Sequence, residues 1–242
     1  MQHKITLISG AGSGIGLSIA QNFYLENHKL ILLVKSKAQK QKLEKKFNKK
    51  ITKIFFGDLS NYNFIKKISK KINYVDNLIN NAATRNGDFL HKVKKKNLDY
   101  IMDLNFKSTF FLTQILTKKM IKKRINGSVI NLSSQLGHIG AYNRTAYCAS
   151  KFAVEGFTKA AALDLGKYGI RINSIAPTKT IVNEKELIFT KKRLNIIKNK
   201  IPSHKFTKKE NIAEVCFFLT SDACENITGT SIKIDGGWLA GK

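Results

Sequence analysis

The chain has 242 residues, 43% of them hydrophobic, and carries 43 Lys and Arg against 16 Asp and Glu, a formal net charge of +27. That length suits one α/β domain with a substantial core, spanning residues 1–242, and no apolar run reaches the ~18 residues that suggest a membrane span. Two prolines leave little room for a Pro-rich disordered tail.

In chain order, Lys4-Ile-Thr-Leu-Ile-Ser9 is a short β-branched apolar run and predicts a buried strand over 4–9. Gly10-Ala-Gly12-Ser-Gly14-Ile-Gly16 follows, and Leu17, Ile19, Ala20, Phe23 and Tyr24 then recur at helical spacing, predicting a helix over 14–26. The pattern continues with strand 29–34, helix 37–47, strand 51–56, helix 61–72 and strand 76–80. After a loop come helices near 96–104 and 106–124, strand 127–132, helix 145–167, strand 170–175, helix 208–220 and strand 231–235. Such alternation predicts an α/β fold: one doubly wound, Rossmann-like parallel sheet with helices on both faces and right-handed crossovers. Ligands of such sheets bind beyond the carboxyl ends of the strands. Gly10, Asp58, Asn80, Ser134 and Pro177 all fall at those ends. Residues 178–206 break the alternation, and an excursion this long in a compact domain points to function.

The lysines crowd the outer helix faces, as in Lys37-Ala-Gln-Lys-Gln-Lys-Leu-Glu-Lys-Lys46, without interleaved aromatics. That arrangement reads as a solvated surface rather than a nucleic-acid platform, with an acidic protein partner as the competing reading. Cys148, Cys216 and Cys224 form no C-x-x-C pair and read as reduced thiols of a cytoplasmic protein. The first strand begins almost at once, so no leader is expected, and neither is a metal site or a membrane partner.

Two local patterns carry chemistry. Strand, glycine-rich turn and helix form the context of a dinucleotide site: the glycines let a pyrophosphate approach, and the helix N-terminus offers free N–H groups and the positive dipole end. In Thr145-Ala-Tyr-Cys-Ala-Ser-Lys151, Tyr147 and Lys151 lie four apart, with Ser134 thirteen residues upstream. On a helix the pair shares one face, so the ammonium is expected to lower the phenol pKa from about 10 toward working pH. A phenol so tuned can donate or accept a proton at a carbonyl or alcohol oxygen.

Together these motifs resemble the short-chain dehydrogenase/reductase family over nearly the whole chain. Ser9-Gly10-Ala-Gly12-Ser-Gly14-Ile-Gly16 resembles its cofactor loop, Gly57-Asp58-Leu59 its adenine-contacting segment, and Asn80-Asn81-Ala82-Ala83 its Asn-Asn-Ala-Gly turn. Ile175-Ala-Pro177 resembles the strand end bordering the nicotinamide, and Ile234-Asp-Gly-Gly237 the closing turn. The resemblance implies hydride transfer between a nicotinamide cofactor and a carbonyl or secondary alcohol. Its catalytic set would be Asn105, Ser134, Tyr147 and Lys151, with Ser133 the local alternative to Ser134. Cofactor contacts would come from Gly10, Ser13, Gly14, Ile15, Gly16, Lys35, Asp58, Leu59, Asn81, Ala82, Tyr147, Lys151, Pro177 and Thr180. Residues 178–206 would form a mobile substrate lid, in which Pro177-Thr178 replaces the family's Pro-Gly and Val182 its usual threonine. A homotetramer or homodimer is implied, paired through helices 106–124 and 145–167 and the Trp238 tail.

Enzymes of this fold that use NAD place an acid at the end of the second strand. Here Leu32-Leu33-Val34-Lys35-Ser36-Lys37 has none, so NADP is favoured, with NAD kept open. Gln135, His138, Tyr142, Asn143 and Arg144 make the segment before Tyr147 polar, which suits a sugar, polyol or hydroxy acid. Arg144 and Arg85 are candidates for a substrate carboxylate or phosphate, since arginine supplies a planar fork that lysine lacks; a loop salt bridge is the competing role for Arg144. His138 reads as structural. Two alternatives stand beside this reading: reduction of a 3-oxoacyl group on an acidic acyl carrier protein, and a non-catalytic binding module of the same fold.

Overall fold

The computed structural model describes residues 3–85, 87–182 and 191–241. Seven strands form one parallel sheet in the order β3-β2-β1-β4-β5-β6-β7: β1 (Ile5–Ser9), β2 (Lys29–Val34), β3 (Thr52–Phe56), β4 (Asn77–Asn80), β5 (Ser128–Leu132), β6 (Arg171–Pro177) and β7 (Ser231–Ile234). β4 and β5 are buried throughout, as strands covered on both faces must be. The order reverses between β1 and β4, which opens a crevice at their carboxyl ends.

Apolar faces of α1 (Gly14–Leu25), α2 (Lys37–Glu44) and the helix Lys209–Thr220 pack on one side of the sheet, through Phe23, Leu43 and Cys216 among others. On the other side α3 (Tyr62–Lys70), α5 (Ser108–Lys122) and α6 (Thr145–Gly166) bury Ile65, Leu112 and Leu165. Between them in chain order run α4 (Lys95–Met102) and α7 (Lys191–Asn199), so Lys209–Thr220 is α8. The three cysteines are free and buried.

A chain of buried amides ties the layers together. Asn80 Nδ2 donates to Thr113 Oγ1 and to Asn131 Oδ1, both at 2.9 Å. Asn131 Nδ2 in turn donates to Thr158 Oγ1 at 2.9 Å. These bonds satisfy the buried donors, although Asn80 Oδ1 is left without a partner among the described residues, and an orphan of that kind costs ~1–3 kcal/mol. The result fixes α5 and α6 relative to the strand ends above which the cleft opens.

The structure departs from the sequence expectation chiefly after β4 and at the end of β6. The predicted helices 96–104 and 106–124 are one helical run interrupted by a wider π turn at Asp103–Lys107, within which the Asn105 side chain bonds sideways to Thr84. β6 extends through Pro177, which pairs only with β7 because the register with β5 ends at Ile175. Of the predicted lid, residues 183–190 lie outside the described residues; at its base Thr180 bridges Thr207, and α7 follows. Thr178 stands where the family's glycine was noted, yet it has no positive φ, so glycine's freedom is not required there.

Candidate functional site

A cleft of about 1900 Å³ opens over the carboxyl ends of the strands, walled by the glycine loop, the tip of β2, the loop after β4 and the segment leading into α6. At the glycine loop Ser9 sits at the end of β1, and its hydroxyl accepts from the backbone N–H of Asn81 and of Ala82, each at 3.0 Å. Asn81 Nδ2 returns a bond of 2.9 Å to the Ser9 carbonyl. This stitching brings the loops so close that a Cβ on Gly10 would lie 2.9 Å from Ala82 Cα, and one on Gly16 would collide with the Gly10 carbonyl. Gly10 also has φ +68°, a left-handed conformation that favours glycine. Ser13 precedes α1 without capping it by its side chain, leaving the first-turn N–H groups facing the cleft. A side-chain-free cradle beside a helix N-terminus fits the pyrophosphate of a dinucleotide.

Of the residues assigned to the cofactor from sequence, Gly10, Ser13, Ile15, Gly16, Lys35, Asp58, Leu59, Asn81, Ala82, Tyr147, Lys151, Pro177 and Thr180 all line this cleft. Gly14 stands just behind the lining with φ +58°, and Val182 packs over it. Asp58 directs Oδ1 to the Ser60 N–H and hydroxyl, at 2.9 and 2.8 Å. Thr180 donates to the Thr178 carbonyl at 3.1 Å. Thr178 Oγ1 is buried with no hydrogen-bond partner among the described residues and also lines the cleft.

At the tip of β2, Lys35 is exposed and its ammonium donates to the Tyr100 hydroxyl at 3.0 Å, which raises the Lys35 pKa. Gln39 occupies the space beside it: Gln39 Oε1 accepts from the Lys35 N–H at 3.0 Å, and its amide lies against Gly12. Ser36 instead accepts from the Gln39 N–H and caps α2. Sequence reasoning found Lys35 but missed Gln39 and Tyr100. Gln39 could have been found from its place one turn into α2, which aims it back at the glycines; Tyr100 lies 65 residues away and left no local signal.

The catalytic candidates converge. Ser134 leaves β5 in an extended conformation and hydrogen-bonds the Tyr147 phenol, while its oxygen also accepts from the Leu136 N–H. α6 begins at Thr145, which places Tyr147 in its first turn and Lys151 one turn on, the Lys151 Nζ being 5.8 Å from the phenol ring centre. Lys151 is buried and donates to the Leu132 carbonyl at 2.7 Å. Asn105 accepts from the Thr84 N–H at 2.8 Å and donates to the Thr84 carbonyl and the Ser150 hydroxyl, both at 3.0 Å. No hydrogen bond joins it directly to Lys151 among the described residues. Ser133 lines the same cleft, but its hydroxyl faces Gly137 rather than Tyr147.

The electrostatics differ from the sequence expectation. Burial raises the Tyr147 pKa, and the groups that pull it back are the Ser134 hydrogen bond and the charges of Arg85 and Arg144, not Lys151. Burial also lowers Lys151, to about 8, against a raising influence from Glu155. Two buried neighbours therefore both lean toward their neutral forms.

On the substrate side Gln135, Arg144 and Arg85 line the cleft, and Gln135 Oε1 is buried without a hydrogen-bond partner among the described residues. Arg144 Nη1 donates to the Asn143 carbonyl at 2.8 Å and lies directly over Gly87 of the facing loop. Asn143 is left-handed at φ 59°, as suits asparagine. His138, expected along the same wall, turns away: its Nε2 lies 3.1 Å from Ser231 Oγ and 3.2 Å from Glu155 Oε1.

A glycine cradle on a parallel sheet, facing a Ser-Tyr-Lys cluster, defines a dinucleotide-type oxidoreductase cleft. The family model described as enoyl-(acyl carrier protein) reductase matches residues 10–239, and the chain belongs to the short-chain dehydrogenase/reductase family. It is 34% identical to 3-oxoacyl-[acyl-carrier-protein] reductase FabG of Thermotoga maritima, over 98% of each chain. Among solved structures it resembles 4-hydroxyisoleucine dehydrogenase complexed with NADH, with TM-score 0.91, 31% identity and coverage of 99% of this chain and 100% of the other. It also resembles ElxO with NADP bound, with TM-score 0.90, 27% identity and coverage of 99% and 100%. Among the described residues no helix is long and apolar enough to cross a membrane.

Proposed function

We propose that this protein is an NADP(H)-linked reductase or dehydrogenase acting on a carbonyl or secondary alcohol of a small polar substrate that carries an acidic group. The observation that carries this reading is the buried Tyr147 phenol, hydrogen-bonded to Ser134 and under the influence of the Arg85 and Arg144 charges, both of which line the same cleft. A phenol whose pKa burial holds high is a proton donor at neutral pH, which suits reduction of a ketone. Ser134 would hold the substrate oxygen, and the two guanidinium groups would take its carboxylate or phosphate. Lys151 would hold the nicotinamide ribose, and Asn105, through Ser150, would keep the α6 turn in register.

A nicotinamide cofactor supplies the hydride donor or acceptor. Gly10, Gly12 and Gly16 would admit its pyrophosphate, Asp58 and Leu59 would border the adenine, and Pro177 and Thr180 the nicotinamide. Lys35 would meet a ribose 2′-phosphate, since the end of β2 bears no acid. Both cofactor forms occur among the similar structures, with NADH in one and NADP in the other. The relative named for a hydroxylated amino acid supports a small, charged substrate.

A second reading, a 3-oxoacyl group presented by an acidic carrier protein, is favoured by the Thermotoga relative and by the net charge of +27. Pairing into a dimer or tetramer belongs to the same proposal; Phe152 and Leu163 stand exposed on α6. Titration of NADPH and NADH by nicotinamide fluorescence at one salt concentration tests the cofactor assignment. Tighter NADPH binding supports it, and equal or tighter NADH binding overturns it. Turnover of an acetoacetyl thioester, with no turnover of free keto acids, would replace the first substrate reading by the second.

A further inference from the structure

Behind the catalytic lysine lies a polar cluster that the reaction as described does not use. Glu155 follows Lys151 by one turn of α6 and is 6% exposed, deep for a carboxylate. Its Oε2 accepts from Ser174 of β6 at 2.7 Å, and its Oε1 from Ser231 of β7 at 3.1 Å. His138 Nε2 completes the set at 3.2 Å from Oε1. His138 ends the short turn Gln135–Gly137, which Ser134 caps and from which Gln135 reaches the cleft. The turn is pressed onto α6 between the two residues: a Cβ on Gly137 would sit 3.1 Å both from Glu155 Cγ and from the Lys151 carbonyl oxygen.

Burying a carboxylate is costly unless it is fully partnered, and an apolar side chain of similar volume would fill the same place at less cost. The partners here come from two strands, one turn and one helix, and all bear on the residues that hold Ser134 and Lys151. We propose that Glu155 is a positioning residue for this reaction: its carboxylate faces Lys151 from one turn below and, through His138, fixes the turn that carries Ser134 and Gln135. The proposal rests on the reading of Ser134, Tyr147 and Lys151 given above.

The groups around this pair are few. From α6 itself Tyr147 and Glu155 flank Lys151; the turn contributes His138, β6 and β7 contribute the hydroxyls of Ser174 and Ser231, and the π turn contributes the Asn105 amide. Arg85 and Arg144 act on Tyr147. Glu155 is thus the negative charge that favours the ammonium form of Lys151, whose pKa burial lowers to about 8. If Lys151 holds the cofactor ribose as a cation, NADPH binding weakens as pH rises past that value. Removing the charge of Glu155 shifts the weakening to lower pH.

The test is the NADPH dissociation constant between pH 6 and 10 (read by nicotinamide fluorescence) for wild type, Glu155→Gln and His138→Gln. Glu155→Gln is expected to bind about three- to tenfold more weakly than wild type near pH 8 and equally at pH 6. His138→Gln, which keeps the Glu155 charge, is expected to leave the pH dependence unmoved and to lower kcat on whichever ketone the wild type reduces. Equal pH dependence for wild type and Glu155→Gln overturns the proposal, as does uniform weakening at every pH, which marks a merely structural role. Should Glu155→Gln not fold, Glu155→Asp draws the charge back by one methylene and must shift the curve in the same direction by less; no shift overturns the proposal. A wild type that shows no pH dependence of NADPH binding instead sinks the assigned role of Lys151, a separate failure.

Discussion

At the catalytic end of the cleft the chemical groups are buried and held from several sides, whereas at the tip of β2 they stand in solvent. Tyr147, Lys151 and Asn105 are each less than a tenth exposed, and their neighbours fix them through Ser134, Leu132, Thr84 and Ser150. Lys35 is exposed, with its ammonium bonded to the Tyr100 hydroxyl, and Gln39 leans on a backbone N–H. Burial at the first end makes each charge expensive and each hydrogen bond matter. Exposure at the second makes individual contacts weak and exchangeable. The proposed function accordingly assigns reaction chemistry to the buried end and the choice of cofactor form to the exposed one.

This contrast can be broken by substitution, and the largest effect is expected at Lys151. Lys151→Met is expected to lower turnover by ~10²-fold or more, and its consequence should also be visible without activity. The folded pKa of Lys151 lies at about 8, below the ordinary 10.5. Between those values the unfolded chain holds a proton that the native protein does not, so stability rises with pH across that window. Lys151→Met should lack that rise in denaturant titrations at pH 8 and pH 10. A rise of equal size in both proteins would mean that Lys151 is not buried as a neutral-leaning amine.

Asn105→Leu comes next. It removes three hydrogen bonds and strands the Thr84 backbone groups, so ~1–3 kcal/mol of stability should be lost along with activity. Gly16→Ala should lower Tm by several degrees, through overpacking of ~1–3 kcal/mol against Gly10 and Asn81, and weaken cofactor binding. At the exposed end Lys35→Glu is expected to leave Tm unchanged and to shift the ratio of NADPH to NADH affinity toward NADH by about 10- to 100-fold, the size of one charge-assisted hydrogen bond of ~1.5–3 kcal/mol. The smallest effect belongs to Ser36→Ala, which removes the cap of α2 and should cost ~1 kcal/mol in a chemical unfolding measurement. If Lys35→Glu destabilised the protein more than Asn105→Leu, the division between the two ends would be wrong.

The same division explains what could be read from the sequence. Parallel strands buried on both faces write themselves as apolar runs, and the glycines at the end of β1 are imposed by collisions that permit no other residue at Gly16. The Tyr147–Lys151 pair was legible because helical geometry alone puts residues four apart on one face. What local pattern could not supply was the sign of the Tyr147 shift. That depends on how much water the fold removes, on Arg144 at the start of the same helix, and on Arg85, brought in from the loop after β4. The π turn was likewise hidden, as was the tie between its Asn105 and Thr84, 21 residues away. His138, read as structural from the sequence, turns away from the cleft toward Glu155, whose partners on β6 and β7 no local pattern could supply.

The central claim is that Tyr147 donates the proton in a nicotinamide-linked reduction within this cleft. The most direct measurement is NADPH oxidation by wild type and Tyr147→Phe over a panel of small keto acids, with NADPH binding measured alongside. The account predicts turnover by the wild type and a loss of ~10²–10⁴-fold in Tyr147→Phe, far larger than any accompanying loss of NADPH affinity. Equal rates in the two proteins, on a substrate the wild type turns over, would contradict it.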